Sequence, residues 1–167
     1  MQGNETLKNK ILDIIKELEY INKKLNSKAI DKAIENLKIA IYGDKVGAEG
    51  FYHSYIREKL LEIFKGNQYI ESLGTKLSNL GFRPDLVIIN DKEVIIAEIE
   101  TDKKRAIDKM RKIANLIDNI KKHPIATNRD VKIIFCLLSA DSKIINKAKM
   151  YGFELFVLDK GRLKKLC

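Results

Sequence analysis

Residues 83–100 read Arg83-Pro84-Asp85-Leu86-Val87-Ile88-Ile89-Asn90-Asp91-Lys92-Glu93-Val94-Ile95-Ile96-Ala97-Glu98-Ile99-Glu100. Two runs rich in Val and Ile flank the polar pair Asn90-Asp91, which is the pattern of a β-hairpin turning at that pair. One strand is expected over Arg83 to Asn90 and the returning strand over Glu93 to Ile99. Both runs are nearly continuous in apolar residues, so helices are expected to cover both faces of the sheet. The open end of the hairpin carries acids. Side chains alternate along a strand, so Glu98 and Glu100 point to one side and Ile99 to the other. The start of one strand lies beside the end of its antiparallel partner, which brings Asp85 next to both glutamates.

Three carboxylates at one edge repel, and some must protonate unless a cation compensates them. A hard divalent ion does so, because a few carboxylate oxygens plus waters suit Mg²⁺ or Mn²⁺. The apolar strands would hold such ligands rigidly, and Pro84 fixes the chain ahead of Asp85. Taken one at a time, each acid reads as a strand end at the solvent edge. Taken together, in hairpin geometry, they read as a metal site.

The flanking sequence supplies the rest of the architecture. A helix is expected from about Ala48 to Lys65, with Tyr52, Ile56, Leu60, Ile63 and Phe64 on its apolar face and Gly66-Asn67 as its stop. Gln68 to Leu73 reads as a strand and Gly74 to Gly81 as a polar loop. After the hairpin, a helix from about Asp102 to Lys122 buries Ile107, Met110, Ile113, Ala114, Ile117 and Ile120, and His123-Pro124 ends it. Val131 to Leu138 is a buried strand, Ser142 to Tyr151 a short helix stopped by Gly152, and Phe153 to Leu158 a last strand. The order is α-β-β-β-α-β-α-β, an α/β fold with a mixed sheet flanked by helices.

Ahead of this domain, Leu7, Ile11, Ile14, Leu18, Ile21 and Leu25 are spaced 4-3-4-3-4, a heptad seam on one helix. Ser27 is placed to cap a second helix with Ile30, Ile34, Leu37 and Ile41 on its apolar face. Residues 1–42 therefore read as a helical hairpin that either packs back on the core or joins two copies of the chain as a homodimer. Tyr42 to Gly47 reads as a linker, and residues 48–167 as the main domain.

The bulk composition narrows the function classes. With 45% hydrophobic residues the chain is not disordered. The longest apolar runs, such as Val131 to Leu138, are too short to span a bilayer, and the polar start has no signal-peptide core. A soluble, cytoplasmic protein is expected. Cys136 and Cys167 have no metal-ligand spacing; Cys136 reads as a small core residue, and neither implies a disulfide scaffold. Abundant Lys, Glu and Ile, with Gln only at Gln2 and Gln68, is a thermophile-like bias. The formal net charge is +9 and the pI about 9.4, which favours polyanionic partners. From Asp102 to Lys132 there are ten Lys/Arg and four Asp, a local excess of six positive charges. For one helix alone this is also the pattern of a solvated face.

The chain resembles the PD-(D/E)XK nuclease superfamily. The residues that carry the resemblance are Arg83-Pro84-Asp85, a gap of twelve residues, then Glu98-Ile99-Glu100. That superfamily has Pro-Asp on one strand and acid-x-Lys on the next, within an αβββαβ core shared by restriction endonucleases and archaeal Holliday-junction resolvases. The similarity runs from Ala48 to about Leu158 and leaves out the N-terminal hairpin. It implies Mg²⁺-dependent (or Mn²⁺-dependent) hydrolysis of DNA phosphodiester bonds, with Asp85 and Glu98 as ligands.

The sequence departs from the family pattern at Glu100, which stands where the family has lysine. Glu100 is then a further ligand or a general base, or else the chain is a non-cutting DNA-binding relative. Lys103 or Lys104, one helical turn on, would supply the missing positive charge. Many family members add an acid from the first helix, and Glu49 fits best; an acid there equally suits the helix dipole. Lys104, Arg105, His53, Arg83 and Lys76 are the candidate DNA contacts.

Overall fold

The computed structural model describes residues 2–42, 51–71, 82–159 and 161–167. Glu49 and Lys76, and the expected linker after Tyr42, lie outside the described residues. The chain divides into two compact units, Met1–Ser54 and Tyr55–Cys167.

In the first unit, α1 (Gln2–Leu25) and α2 (Lys28–Tyr42) pack on each other as a helical hairpin. Asn26 takes a left-handed conformation, φ 49°, and ends α1. The Ser27 carbonyl accepts the first N–H groups of α2, from Ile30 and Asp31. The heptad seam is not the stripe that α1 buries. Leu12 and Ile15 are fully buried, whereas Leu7, Ile14, Ile21 and Leu25 are exposed, Leu25 by 65%. Apolar residues occupy two adjoining stripes of α1, and helix periodicity alone does not choose between them.

The second unit begins within α3 (Phe51–Ile63), whose Tyr55, Ile56 and Leu60 are buried. It continues as β1 (Gln68–Glu71), β2 (Leu86–Ile89), β3 (Glu93–Glu100), α4 (Lys103–Lys122), β4 (Asp130–Leu137), α5 (Ser142–Tyr151), β5 (Glu154–Asp159) and β6 (Arg162–Lys165). The six strands form one sheet in the order β1-β2-β3-β4-β5-β6. The pairings β3·β4 and β4·β5 are parallel; the other three are antiparallel. This is the expected α/β architecture with the element order αβββαβ at its heart, extended by α5, β5 and β6.

The β2–β3 hairpin turns at the expected place. Ile89 pairs with Val94, and the Asn90 side chain accepts from the N–H groups of Lys92 and Glu93 at 2.9 and 2.7 Å. Such an Asx turn replaces backbone pairing with a short polar side chain. β2 starts at Leu86, later than the sequence suggested. Pro84 has no N–H to give, and the Asp85 carboxylate accepts the Ile99 N–H of β3. β6 was not anticipated, because Arg162-Leu163-Lys164-Lys165 shows no apolar alternation. It is an edge strand protected by its cations. Gly161, at φ 75°, lies in the turn that leads into it.

One face of the sheet carries Val87, Val94, Ile96, Phe135 and Leu155, packed against Ala106, Met110 and Ile113 of α4 and Ile144 and Ala148 of α5. The opposite face carries Leu86, Ile88, Ile95, Ile99, Ile134 and Leu158, all buried. The Tyr55 hydroxyl donates to the Gly161 carbonyl at 3.0 Å and ties α3 to the β5–β6 turn. Among the described residues no helix is long and apolar enough to cross a membrane.

Candidate functional site

The site lies where β3 ends and α4 begins, at the carboxyl edge of the parallel strands. Ligands commonly bind at this edge of α/β sheets. Leu86 pairs with Ala97, so the next position out sets Asp85 beside Glu98. Asp85 Oδ2 accepts the Ile99 N–H at 2.8 Å. The carboxylate thus takes the ladder bond that β2 leaves open, which fixes its direction. Glu98 and Glu100 share the sheet face of Val94 and Ile96, under α4.

Both glutamates are buried, Glu98 exposed by only 2% and Glu100 by 8%. Burying a carboxylate is costly unless it is paired and hydrogen-bonded. Glu100 is compensated: its Oε1 accepts from the N–H groups of Thr101 and Asp102 at 3.0 and 3.2 Å. Glu98 is compensated on one oxygen only. Its Oε1 is buried and has no hydrogen-bond partner among the described residues.

The compensating charge comes from Lys109. Its Nζ lies 3.0 Å from Glu98 Oε2, 3.4 Å from Glu100 Oε2 and 3.9 Å from Asp85 Oδ2. One ammonium therefore serves three carboxylates. Burial pushes the Glu98 pKa up to about 7, the Asp85 charge adds to this, and Lys109 only partly opposes it. For Lys109, burial by itself would lower the pKa. The charges of Glu98, Asp85 and Glu100 outweigh it and hold the ammonium above the ordinary lysine value.

Helix geometry explains why Lys109 supplies this charge. The strands β3 and β4 are parallel, so α4 must run back across the sheet to connect them. Asp102 caps the helix, its side chain accepting the Arg105 N–H at 2.8 Å. Lys103 sits at the outer end, half-exposed, and its ion pair is with Asp141, at 3.8 Å. Six residues further, about 9 Å along the axis, the helix has come back over Glu98. Lys109 lies three residues after buried Ala106 and four before buried Ile113, on the edge of the inward stripe. A lysine at that spacing was the available signal, hidden among the eight basic residues of α4, which together read as helix surface.

Of the other candidates, Lys104, Arg105 and Arg83 are exposed, with Lys104 and Arg105 on the first turn of α4. His53 falls in the first compact unit, Met1–Ser54. Cys136 pairs in register with Ile99, and burial pushes its thiol up, so it stays protonated. It is the core residue the sequence indicated, not a nucleophile.

Among the described residues no three His, Cys, Asp or Glu side chains form a ready-made metal cage. The donor set still fits Mg²⁺ or Mn²⁺, since Mg²⁺ is usually held by one or two carboxylates with waters and substrate phosphates. Asp85 and Glu98 provide two carboxylates side by side, and the Oε1 of Glu98 is a buried hard oxygen with no hydrogen-bond partner among the described residues. Compared with known proteins, the chain matches no family model, no curated protein and no solved structure.

Proposed function

We propose that the chain is a metal-dependent DNA endonuclease that hydrolyses phosphodiester bonds at the Asp85–Glu98–Lys109 edge. The observation that carries this reading is the meeting of three carboxylates with one lysine ammonium on a hairpin within an αβββαβ order. It contains the chemical parts of an acid-x-Lys site, with the lysine delivered by α4 instead of β3. Asp85 and Glu98 would hold Mg²⁺ or Mn²⁺. When bound, the ion would polarise the phosphate and lower the pKa of the attacking water.

The chain's own residues do the rest. The strand ladder and the Ile99 N–H orient Asp85. Glu100, anchored by two backbone N–H groups, holds the Lys109 side chain near the reacting edge. Lys109 offers a positive charge to the phosphate as negative charge develops on it. Exposed Lys104, Arg105, Arg111 and Lys112 on α4 attract the DNA backbone without reading its sequence.

The competing reading is a DNA-binding module that does not cut, and the observation in its favour is Glu100 where lysine is usual. A screen of duplex, branched and single-stranded DNA in Mg²⁺ and Mn²⁺ separates the two. Cleavage by the wild-type chain, reduced at least about a hundredfold by Asp85→Asn, is the expected result. Salt-sensitive DNA binding with no cleavage of any of these substrates would leave the binding module standing instead.

A further inference from the structure

We propose that Lys109 is a removable cation of the site, which neutralises Asp85, Glu98 and Glu100 in the absence of a divalent ion and yields Asp85 and Glu98 to one that binds. The proposal rests on the metal-dependent reading above and goes beyond it, because it gives the lysine two successive positions.

The ammonium lies within 3.9 Å of all three carboxylates and closest to Glu98, whose buried Oε1 has no hydrogen-bond partner among the described residues. A divalent ion held by Asp85 and Glu98 has to occupy the same few ångströms. Two cations that close repel strongly at the low effective dielectric of a half-buried site, so they compete for it. Lysine is suited to giving way. It is a compact charge on a flexible four-carbon stem, and the Lys109 side chain is still 38% exposed. The helix beneath it stays fixed, because Ala106, Met110 and Ile113 are packed in the core.

Glu100 determines where the released ammonium goes. Its Oε1 is held by the Thr101 and Asp102 N–H groups, so its Oε2 remains a fixed partner for Lys109 at the outer side of the site. On this account the acid-x-acid variant is not a loss of the lysine. Glu100 is the tether for a lysine carried on the helix, and the tethered ammonium then faces the substrate phosphate.

The test is direct titration of the full chain with Mn²⁺ alone, by calorimetry, for wild type, Lys109→Met and Lys109→Gln. Removing the competing charge is expected to tighten Mn²⁺ binding about tenfold, an ordinary coupling between two ligands of one site. In the same variants DNA cleavage is expected to fall, so affinity and activity move in opposite directions. A purely structural lysine would weaken both. A second measurement uses only the wild-type chain: Mn²⁺ is expected to speed acetylation of Lys109 by an amine-reactive reagent severalfold, as followed by mass spectrometry. Equal or weaker Mn²⁺ binding in both neutral variants, no Mn²⁺ binding by any of the three, or acetylation of Lys109 unchanged by Mn²⁺ overturns the proposal. A wild-type chain that binds Mn²⁺ but cuts no DNA overturns the nuclease reading, and the affinity ratio still decides the role of Lys109.

Discussion

Burial strongly changes the proton affinity of Glu98. Its carboxyl pKa is raised from 4.5 to about 7, chiefly by burial and next by Asp85. A carboxyl with a raised folded pKa holds its proton more tightly in the folded than in the unfolded chain. Its contribution to stability is therefore complete below about pH 4.5 and is lost as pH rises through 7. In EDTA, wild type is expected to lose on the order of 3 kcal/mol from this group between pH 4.5 and pH 8. Glu98→Gln should lack that loss and be the more stable chain at pH 8, as read from urea melts at the two pH values. Mg²⁺ or Mn²⁺ should restore stability to wild type at pH 8 and have little effect on the glutamine variant. Equal pH dependence in the two chains would mean that Glu98 is not strained in this way.

The helices differ in how well their periodicity foretold their packing. In α4 the apolar stripe faces the core: Met110, Ile113 and Ile120 are buried as expected, Ile107, Ala114 and Ile117 are partly buried against the same core, Ala106 joins them, and the N-cap is Asp102. In α1 two stripes compete, and the structure buries Leu12 and Ile15 rather than the heptad seam. The difference is testable by thermal denaturation. Leu12→Ala should cost about 2–5 kcal/mol, the usual range for truncating a buried leucine. Ile21→Gln, at an exposed position of the seam, should stay within about 0.5 kcal/mol of wild type. The reverse ranking would mean that α1 is rotated. The strands show the complementary behaviour. β3 runs to Glu100, one residue beyond the expected end, because β4 pairs with it as far as Leu137.

The molecule as a whole is strongly basic, with a formal net charge of +9. Exposed cations of α4 lie on the same helix as Lys109, so on the proposed nuclease reading the charge that would gather DNA and the residue that would meet it share one rigid element. On the nuclease reading, reversing two of these charges in Lys104→Glu/Arg105→Glu should weaken binding to all DNA sequences alike. The slope of log affinity against log salt should fall by about 2, roughly one for each phosphate that is no longer neutralised. Filter binding across a salt series reads this directly. An unchanged slope would assign the DNA surface to another part of the chain.

The sequence by itself determined the hairpin, its turn at Asn90-Asp91, and the order of helices and strands around it as far as β5. These follow from local rules: β-branched runs, an Asx turn, apolar spacing, a glycine stop. It also placed Asp85, Glu98 and Glu100 on one edge, since strand alternation and antiparallel register need no distant information. Lys109 was beyond its reach. Nothing local distinguishes that lysine from its basic neighbours on α4. It is singled out only when the parallel pairing of β3 and β4 turns the helix back over the sheet and sets one side chain above Glu98. The burial of Glu98, which leaves one oxygen without a hydrogen-bond partner among the described residues, was likewise decided by tertiary packing, because desolvation depends on what covers a residue rather than on what precedes it.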